Sequence, residues 1–327
     1  MPESSSFQTV FISGELTYAL DLEQVGSGLA RPECVLATAS GRLFVSDRRG
    51  GVQEIGPDGR QRLIGTTHLL PNGIALMRDG SFLVANLGSD GGVWRIARNG
   101  SARPYLMEVE GKPLPRVNFV ALDAQERIWA CISATDGGDR YPIDSKTGYI
   151  VLQDAAGARV VAEGLQYTNE CRVDGAGRTL YVNETFGRRL SRFRLLPGGV
   201  LRARETVAEF GTGDFPDGLT LDAEGGAWVV CVGSNRIHRV SRDGAVETII
   251  DDADPACVAR LEAAFQTRTL TRPMLSAATG RTLKNITSLA FGGPGLRTAY
   301  LGCLAGDALA TFRSPVPGFA PVHWNWS

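Results

Sequence analysis

At 327 residues, with 34 basic and 35 acidic side chains leaving a net charge of −1, the chain lacks the basic footprint that nucleic-acid binding requires. Hydrophobic residues make up 43% of it, alongside 40 glycines and 16 prolines, as suits many short strands joined by turns. No run of about 18 apolar residues is present to cross a membrane, and Met1 to Phe7 lacks a basic region followed by an apolar one, so a cytoplasmic location without a membrane partner is expected.

In chain order, the first apolar run is Thr9-Val10-Phe11-Ile12, expected to lend an outer strand to the last repeat and so close a ring. One phrase then recurs six times: a polar residue, an apolar run, a turn and a second run built on an anchor side chain. Glu33-Cys34-Val35-Leu36 leads to Phe44, Asn72-Gly73-Ile74-Ala75 to Leu83, and Asn118-Phe119-Val120-Ala121 to Trp129. Asn169-Glu170-Cys171-Arg172 leads to Tyr181, Asp217-Gly218-Leu219-Thr220 to Trp228, and Thr287-Ser288-Leu289-Ala290 to Tyr300.

Successive anchors lie 39, 46, 52, 47 and 72 residues apart, the spacing of propeller blades except for the last. A further short run follows each anchor strand, often ending in a turn such as Asn99-Gly100 or Asp243-Gly244. The pattern predicts an all-β, six-bladed β-propeller with four-stranded antiparallel blades, one domain over residues 1–327.

The long interval predicts one helical insertion at about 254–265, with Asp254 as N-cap, Pro255 in the first turn and Val258, Leu261 and Phe265 on one face. An insertion of this length is either a lid over one mouth of the channel or a surface excursion. The Gly- and Asp-rich connection from Ala134 to Lys146 is expected to line the same mouth. Six cysteines without C-x-x-C spacing read as small buried hydrophobes.

Because the first strand of each propeller blade lines the channel, one slot repeated in six blades forms a ring. That slot holds Glu33, Asn72, Asn118, Asn169, Asp217 and Thr287, each 11 to 13 residues before its anchor. Each offers an oxygen, the ligand that hard divalent cations take. Pro71-Asn72-Gly73 and Pro216-Asp217-Gly218 are also turn sequences, and Asn72 taken alone favours a turn. Glu33 and Asn118 have no glycine after them, and a carboxylate at a channel mouth needs a partner or a metal.

These residues carry a family likeness. The chain resembles the senescence marker protein, gluconolactonase and luciferin-regenerating enzyme family from about Leu29 to Phe312, through Glu33, Asn169, Pro216-Asp217-Gly218 and Arg116-Val117-Asn118. The resemblance implies one divalent metal ion, Ca²⁺ or Zn²⁺ ahead of Mg²⁺ or Mn²⁺, bound by Glu33, Asn169 and Asp217. Arg116 and Asn118 would contact a small-molecule substrate. The implied activity is metal-dependent hydrolysis of a lactone, the cation polarising the carbonyl and Asp217 taking a proton from water.

Asn72, Glu170 and Thr287 are further site candidates. Glu170 replaces the family's usual Gly, and would either add a carboxylate near the metal or point into the blade. With only His68, His238 and His323 and no Gly-x-Ser-x-Gly elbow, a Ser-His-Asp hydrolase is poorly supported. The alternatives are a strictosidine synthase-like or phosphotriesterase-like enzyme, the former hinted at by Glu184-Thr185-Phe186 and Arg188-Arg189, or a non-catalytic ligand-binding propeller. The oligomeric state is open.

Overall fold

The computed structural model describes residues 21–134 and 138–327. Six sheets of four antiparallel strands form the six blades of a β-propeller, strand order following chain order in five of them. The inner strands are Val35–Ala37, Pro71–Leu76, Phe119–Leu122, Thr168–Val173, Phe215–Leu221 and Ile286–Gly292. They begin at the face carrying the slot residues, and the second strand of each blade returns to that face.

Blade six is completed from the other end of the chain. Glu23–Val25 pairs with Leu309–Arg313, placing Glu23 opposite Thr311, Gln24 opposite Ala310 and Val25 opposite Leu309. The ring is therefore closed by this strand, while Thr9–Ile12 lies outside the described residues.

The anchors do what their spacing implies. Phe44, Leu83, Trp129, Tyr181 and Trp228 are buried between blades, and Phe44 meets Phe82 of the next blade with ring centroids 5.1 Å apart. The tryptophans share a device: the turn after the inner strand supplies an aspartate that takes the indole N–H. Trp129 Nε1 donates to Asp123 at 2.8 Å and Trp228 Nε1 to Asp222 at 3.0 Å. The same carboxylates accept Arg127 and Arg239 Nε, each at 2.7 Å.

Asp123→Ala leaves a buried indole N–H and a nearly buried guanidinium without their acceptor. It should lower the stability found by urea unfolding by about 3–5 kcal/mol. A loss below about 1 kcal/mol would mean that Trp129 and Arg127 find other partners.

The long interval contains two helices where one was expected: α1, Pro255–Gln266, and α2, Arg272–Ser276. Asp254 caps α1 as foreseen, its side chain accepting the Cys257 amide at 2.7 Å. Thr271 caps α2 through the Met274 amide, a start too brief to leave a helical period in the sequence. The insertion is stitched to the connection around residues 138–147. Tyr141 N donates to Leu270 O at 3.0 Å, Arg272 N to Asp139 O at 2.9 Å, and Arg268 pairs with Asp144.

Candidate active site

Asn72, Asn169, Asp217 and Thr287 lie inside strands rather than in turns, while Glu33 and Asn118 come two residues and one residue before theirs. In blades two, four, five and six the pairing of the inner strand slips at the slot: between Pro71 and Ile74, Thr168 and Cys171, Pro216 and Leu219, and Ile286 and Ser288. Such bulges re-aim side chains, here toward the channel axis. Gly73 and Gly218 are required by close approach rather than by turn geometry. A Cβ on Gly73 would meet Phe119 Cα at 2.8 Å, and one on Gly218 would meet Thr287 O at 2.3 Å. The turn reading of Asn72 is thereby corrected.

All six slot residues are buried. Asn72 Nδ2 donates to Glu33 Oε1 at 3.0 Å, to Asn118 O at 2.9 Å and to Asn118 Oδ1 at 3.1 Å. Asn169 Nδ2 donates to Thr185 Oγ1 at 3.1 Å, and its amide also reaches the Asp217 carboxyl. Asn183 Nδ2 holds the Asp217 carbonyl at 3.1 Å. Thr287 acts as a clamp: its hydroxyl donates to Glu33 O at 3.0 Å, and Ser288 Oγ donates to the same carbonyl at 2.6 Å.

Glu170 faces the channel wall between blades four and five. Its Oε2 accepts the Leu219 amide at 3.1 Å and Arg172 Nη2 at 2.9 Å. Arg116 is exposed on the segment entering blade three and makes no hydrogen bond or ion pair among the described residues.

The electrostatics are those of carboxylates crowded away from water. Burial pushes Glu33 up to about 7 against the pull of Arg31, and Glu170 up to about 7 against Arg172. Burial and then the charges of Glu33 and Glu170 drive Asp217 well above the usual carboxylate range. Two acceptor oxygens here, Glu33 Oε2 and Asn169 Oδ1, are buried without any hydrogen-bond partner among the described residues. An orphaned carboxylate oxygen and an orphaned amide oxygen, beside the Asp217 carboxyl, are a donor set that fits a hard divalent cation.

A second group, Asp214, Cys231 and His238, places three ligand atoms within 4.8 Å of one another. Two of its members are already engaged. Asp214 takes Arg236 at 3.1 Å and His238 Nε2 at 3.3 Å, while His238 Nδ1 meets the Thr248 hydroxyl at 3.1 Å and its ring stacks on Phe210. The slot, where Glu33 Oε2 and Asn169 Oδ1 lack partners among the described residues, is the better candidate for a cation.

Glu184, Phe186 and Arg188, noted for a strictosidine synthase-like pattern, are occupied by packing. Glu184 binds Arg189 at 2.8 Å, Arg204 at 2.6 Å and Ser191 Oγ at 2.6 Å. Arg188 pairs with Glu262 of α1, and Phe186 joins a cluster with Tyr141, Tyr167 and Phe215. That cluster roofs the slot face and anchors α1 through Leu261 and Phe265.

The far half of the channel is a separate cavity of about 280 Å³ between the lower ends of the inner strands and the tail segment Phe319–His323. The tail is tied there by Ala39 N to Trp324 O at 2.7 Å and Phe319 N to Leu221 O at 2.9 Å. Its lining is mainly apolar. His323 lies there with Nε2 unpartnered, pushed down to about 4 by burial and by the charge of Arg172.

A functional candidate that carries no sequence motif is Arg31. Arg31 Nη2 donates to Asn72 Oδ1 at 2.9 Å, which places a guanidinium beside the slot carboxylates. An arginine two residues before Glu33 carries no motif, and only its left-handed backbone, φ 51°, marks it as unusual.

Among solved structures, the chain is similar to a gluconolactonase from Xanthomonas campestris, with 17% identity, a TM-score of 0.69 and coverage of 91% of this chain and 90% of that one. It is similar to a luciferin-regenerating enzyme at 17% identity and TM-score 0.69, over 93% of this chain and 98% of that one. It is similar also to regucalcin, a calcium-binding protein from Agrobacterium tumefaciens, at 18% identity and TM-score 0.67, over 90% and 95% of the two chains. At such identities the likeness is one of fold. Residues 32–270 match the model of the SMP-30/Gluconolactonase/LRE-like region, and the chain belongs to that family.

Proposed function

We propose that the protein hydrolyses a lactone at the slot face of the channel, with a divalent cation held by Glu33, Asn169 and Asp217. The supporting observation is the pair of buried, partnerless oxygens Glu33 Oε2 and Asn169 Oδ1, which family membership alone does not supply. The oxygen-rich set suits Ca²⁺, Mg²⁺ or Mn²⁺ and admits Zn²⁺, and the similarity to a calcium-binding regucalcin favours Ca²⁺.

Bound there, the cation supplies a Lewis acid for the lactone carbonyl. Asp217 takes the proton as water attacks the carbonyl carbon. The bond from that carbon to the ring oxygen breaks, the proton passes to this oxygen, and a hydroxy acid leaves. Asn72 spaces Glu33 from Asn118, and the Asn118 amide with the exposed Arg116 orients the substrate's polar groups. Asn183, on the backbone of Asp217, and Thr287, on that of Glu33, hold the two carboxylate-bearing strands in place.

Metal analysis of the purified protein, joined to a pH-drop assay over sugar and aliphatic lactones, tests this. The expected result is one divalent ion per chain and turnover that chelation abolishes and the ion restores. An organophosphate and an amine-plus-aldehyde pair serve as rivals. Turnover of either in place of every lactone, or a chain without metal and without turnover, would overturn the reading.

A further inference from the structure

We propose that the site receives a substrate bearing a carboxylate or similar anionic group, held by Arg31 and Arg272 beside the candidate cation site. The inference deepens the lactone reading and rests on it for the identity of the ring.

Arg31 is half-buried and uses two contacts, Nη2 to Asn72 Oδ1 at 2.9 Å and Nη1 to Pro71 O at 3.5 Å. Both acceptors are neutral, and among the described residues Arg31 makes no ion pair. A guanidinium offers five N–H donors in a planar fork, so most of its capacity is unspent. The residue is held in the left-handed region, φ 51°, at a cost of roughly 1–2 kcal/mol. Tyr167, two residues before Asn169, shares that conformation with φ 63°, so two slot residues are approached alike.

Arg272 arrives from the insertion. It lies over the Tyr141 ring at 4.8 Å, donates from Nη1 to Tyr167 Oη at 3.3 Å and from Nε to Gly138 O at 3.1 Å. It too is half-buried and makes no ion pair among the described residues. The Tyr141 and Tyr167 rings stand edge to face with centroids 5.5 Å apart. Tyr167 immediately precedes the inner strand Thr168–Val173 that carries Asn169, so its contact with Arg272 brings that guanidinium to the slot face, where Arg31 holds Asn72.

Charge balance then selects the ligand. Arg172 neutralises Glu170 at 2.9 Å, and a divalent cation balances Glu33 and Asp217. Among the described residues Arg31 and Arg272 then remain without an ion-pair partner, half-buried, where a charge without a counterion is costly. A carboxylate satisfies a guanidinium fork through two parallel hydrogen bonds. If Arg31 served only to position Asn72 and offset Glu33, its loss would weaken charged and neutral ligands alike.

Binding of tetrahydrofuran-2-carboxylate and of the neutral alcohol tetrahydrofurfuryl alcohol, measured by calorimetry on the metal-loaded chain, separates the two roles. The wild type should favour the carboxylate by about tenfold or more, the worth of a charge-assisted hydrogen bond. That preference should fall to within about threefold of unity in Arg31→Ala, with part of it kept in Arg31→Lys. Arg272→Ala should lower it independently, and carries the test if Arg31→Ala does not fold. No preference in the wild type, or one unchanged in both alanine variants, overturns the proposal. Neither probe is hydrolysed, so a preference that collapses as expected without any lactone turnover would sink the hydrolase reading alone. Lactone turnover without a preference would sink the anion site alone.

Discussion

Asp217→Asn should lower lactone hydrolysis by about 10³-fold, within the range a general base contributes, while the protein stays folded. The substitution keeps the size of the side chain and removes its ability to take a proton or a full negative charge. What holds this part of the strand does not depend on the carboxylate: Asn183 binds the Asp217 and Gly218 carbonyls, and Thr185 Oγ1 binds the Pro216 carbonyl at 2.8 Å. In the metal-free protein, removing one of several crowded, buried carboxylates should leave the melting temperature unchanged or raise it. The decisive readings are kcat/KM and metal content side by side. Full activity in Asp217→Asn would assign the proton transfer to another group.

Stability of the metal-free protein should fall as pH rises from about 4.5 to about 7. Burial raises Glu33 and Glu170 to about 7 from an ordinary 4.5, so the folded chain keeps protons that the unfolded chain has released. Each such group can remove up to about 3 kcal/mol across that window, and Asp217, raised well above its ordinary value, acts in the same sense. A bound divalent ion requires the ionised carboxylates, so its stabilisation should grow through the same window and flatten the decline.

Glu184 works in the opposite direction at lower pH. Burial alone would raise it, but hydrogen bonds from Arg189, the Gln166 amide and Ser191 and the charge of Arg204 hold it at about 2. Its stabilisation is complete above about 4.5 and is lost as pH falls toward 2. Urea midpoints from acid to mildly alkaline pH, with chelator and with excess Ca²⁺, should show a maximum near pH 5 only in the chelated protein. A midpoint that climbs from pH 5 to 7 under chelation would show that the slot carboxylates are better solvated than their burial implies.

The blades are legible in the sequence because each must bury a large anchor between neighbours, and Phe44, Trp129 and Trp228 recur at a spacing that turns and strand lengths constrain. The slot is legible for the same reason, since a channel-lining residue keeps a fixed distance from its anchor. Glu23-Gln24-Val25 is not: it contributes three residues, one of them apolar, and is held through backbone pairing that leaves no side-chain pattern. Thr9-Val10-Phe11-Ile12, which carries the stronger local signal, lies outside the described residues. Arg31 and Arg272 were hidden because their meaning depends on Asn72 and Tyr141, which approach them only after folding. Glu170 was ambiguous by strand alternation, and the bulge beside it decides its direction.

Strands from opposite parts of the chain, Glu23–Val25 and Leu309–Arg313, meet in one sheet, and this places the mechanical weak point of the toroid. Three residue pairs between Glu23–Val25 and Leu309–Thr311 carry the closure, against six or seven pairs where blade four joins its third strand to its neighbours. Opening should therefore start at this seam, unzipping the wheel between its first and last spokes before any interior spoke loosens. The slot spans the same boundary, since Thr287 and Ser288 of blade six grip the backbone of Glu33 in blade one. An ion shared between Glu33 and the distant blades would act as a rivet across the joint most prone to part.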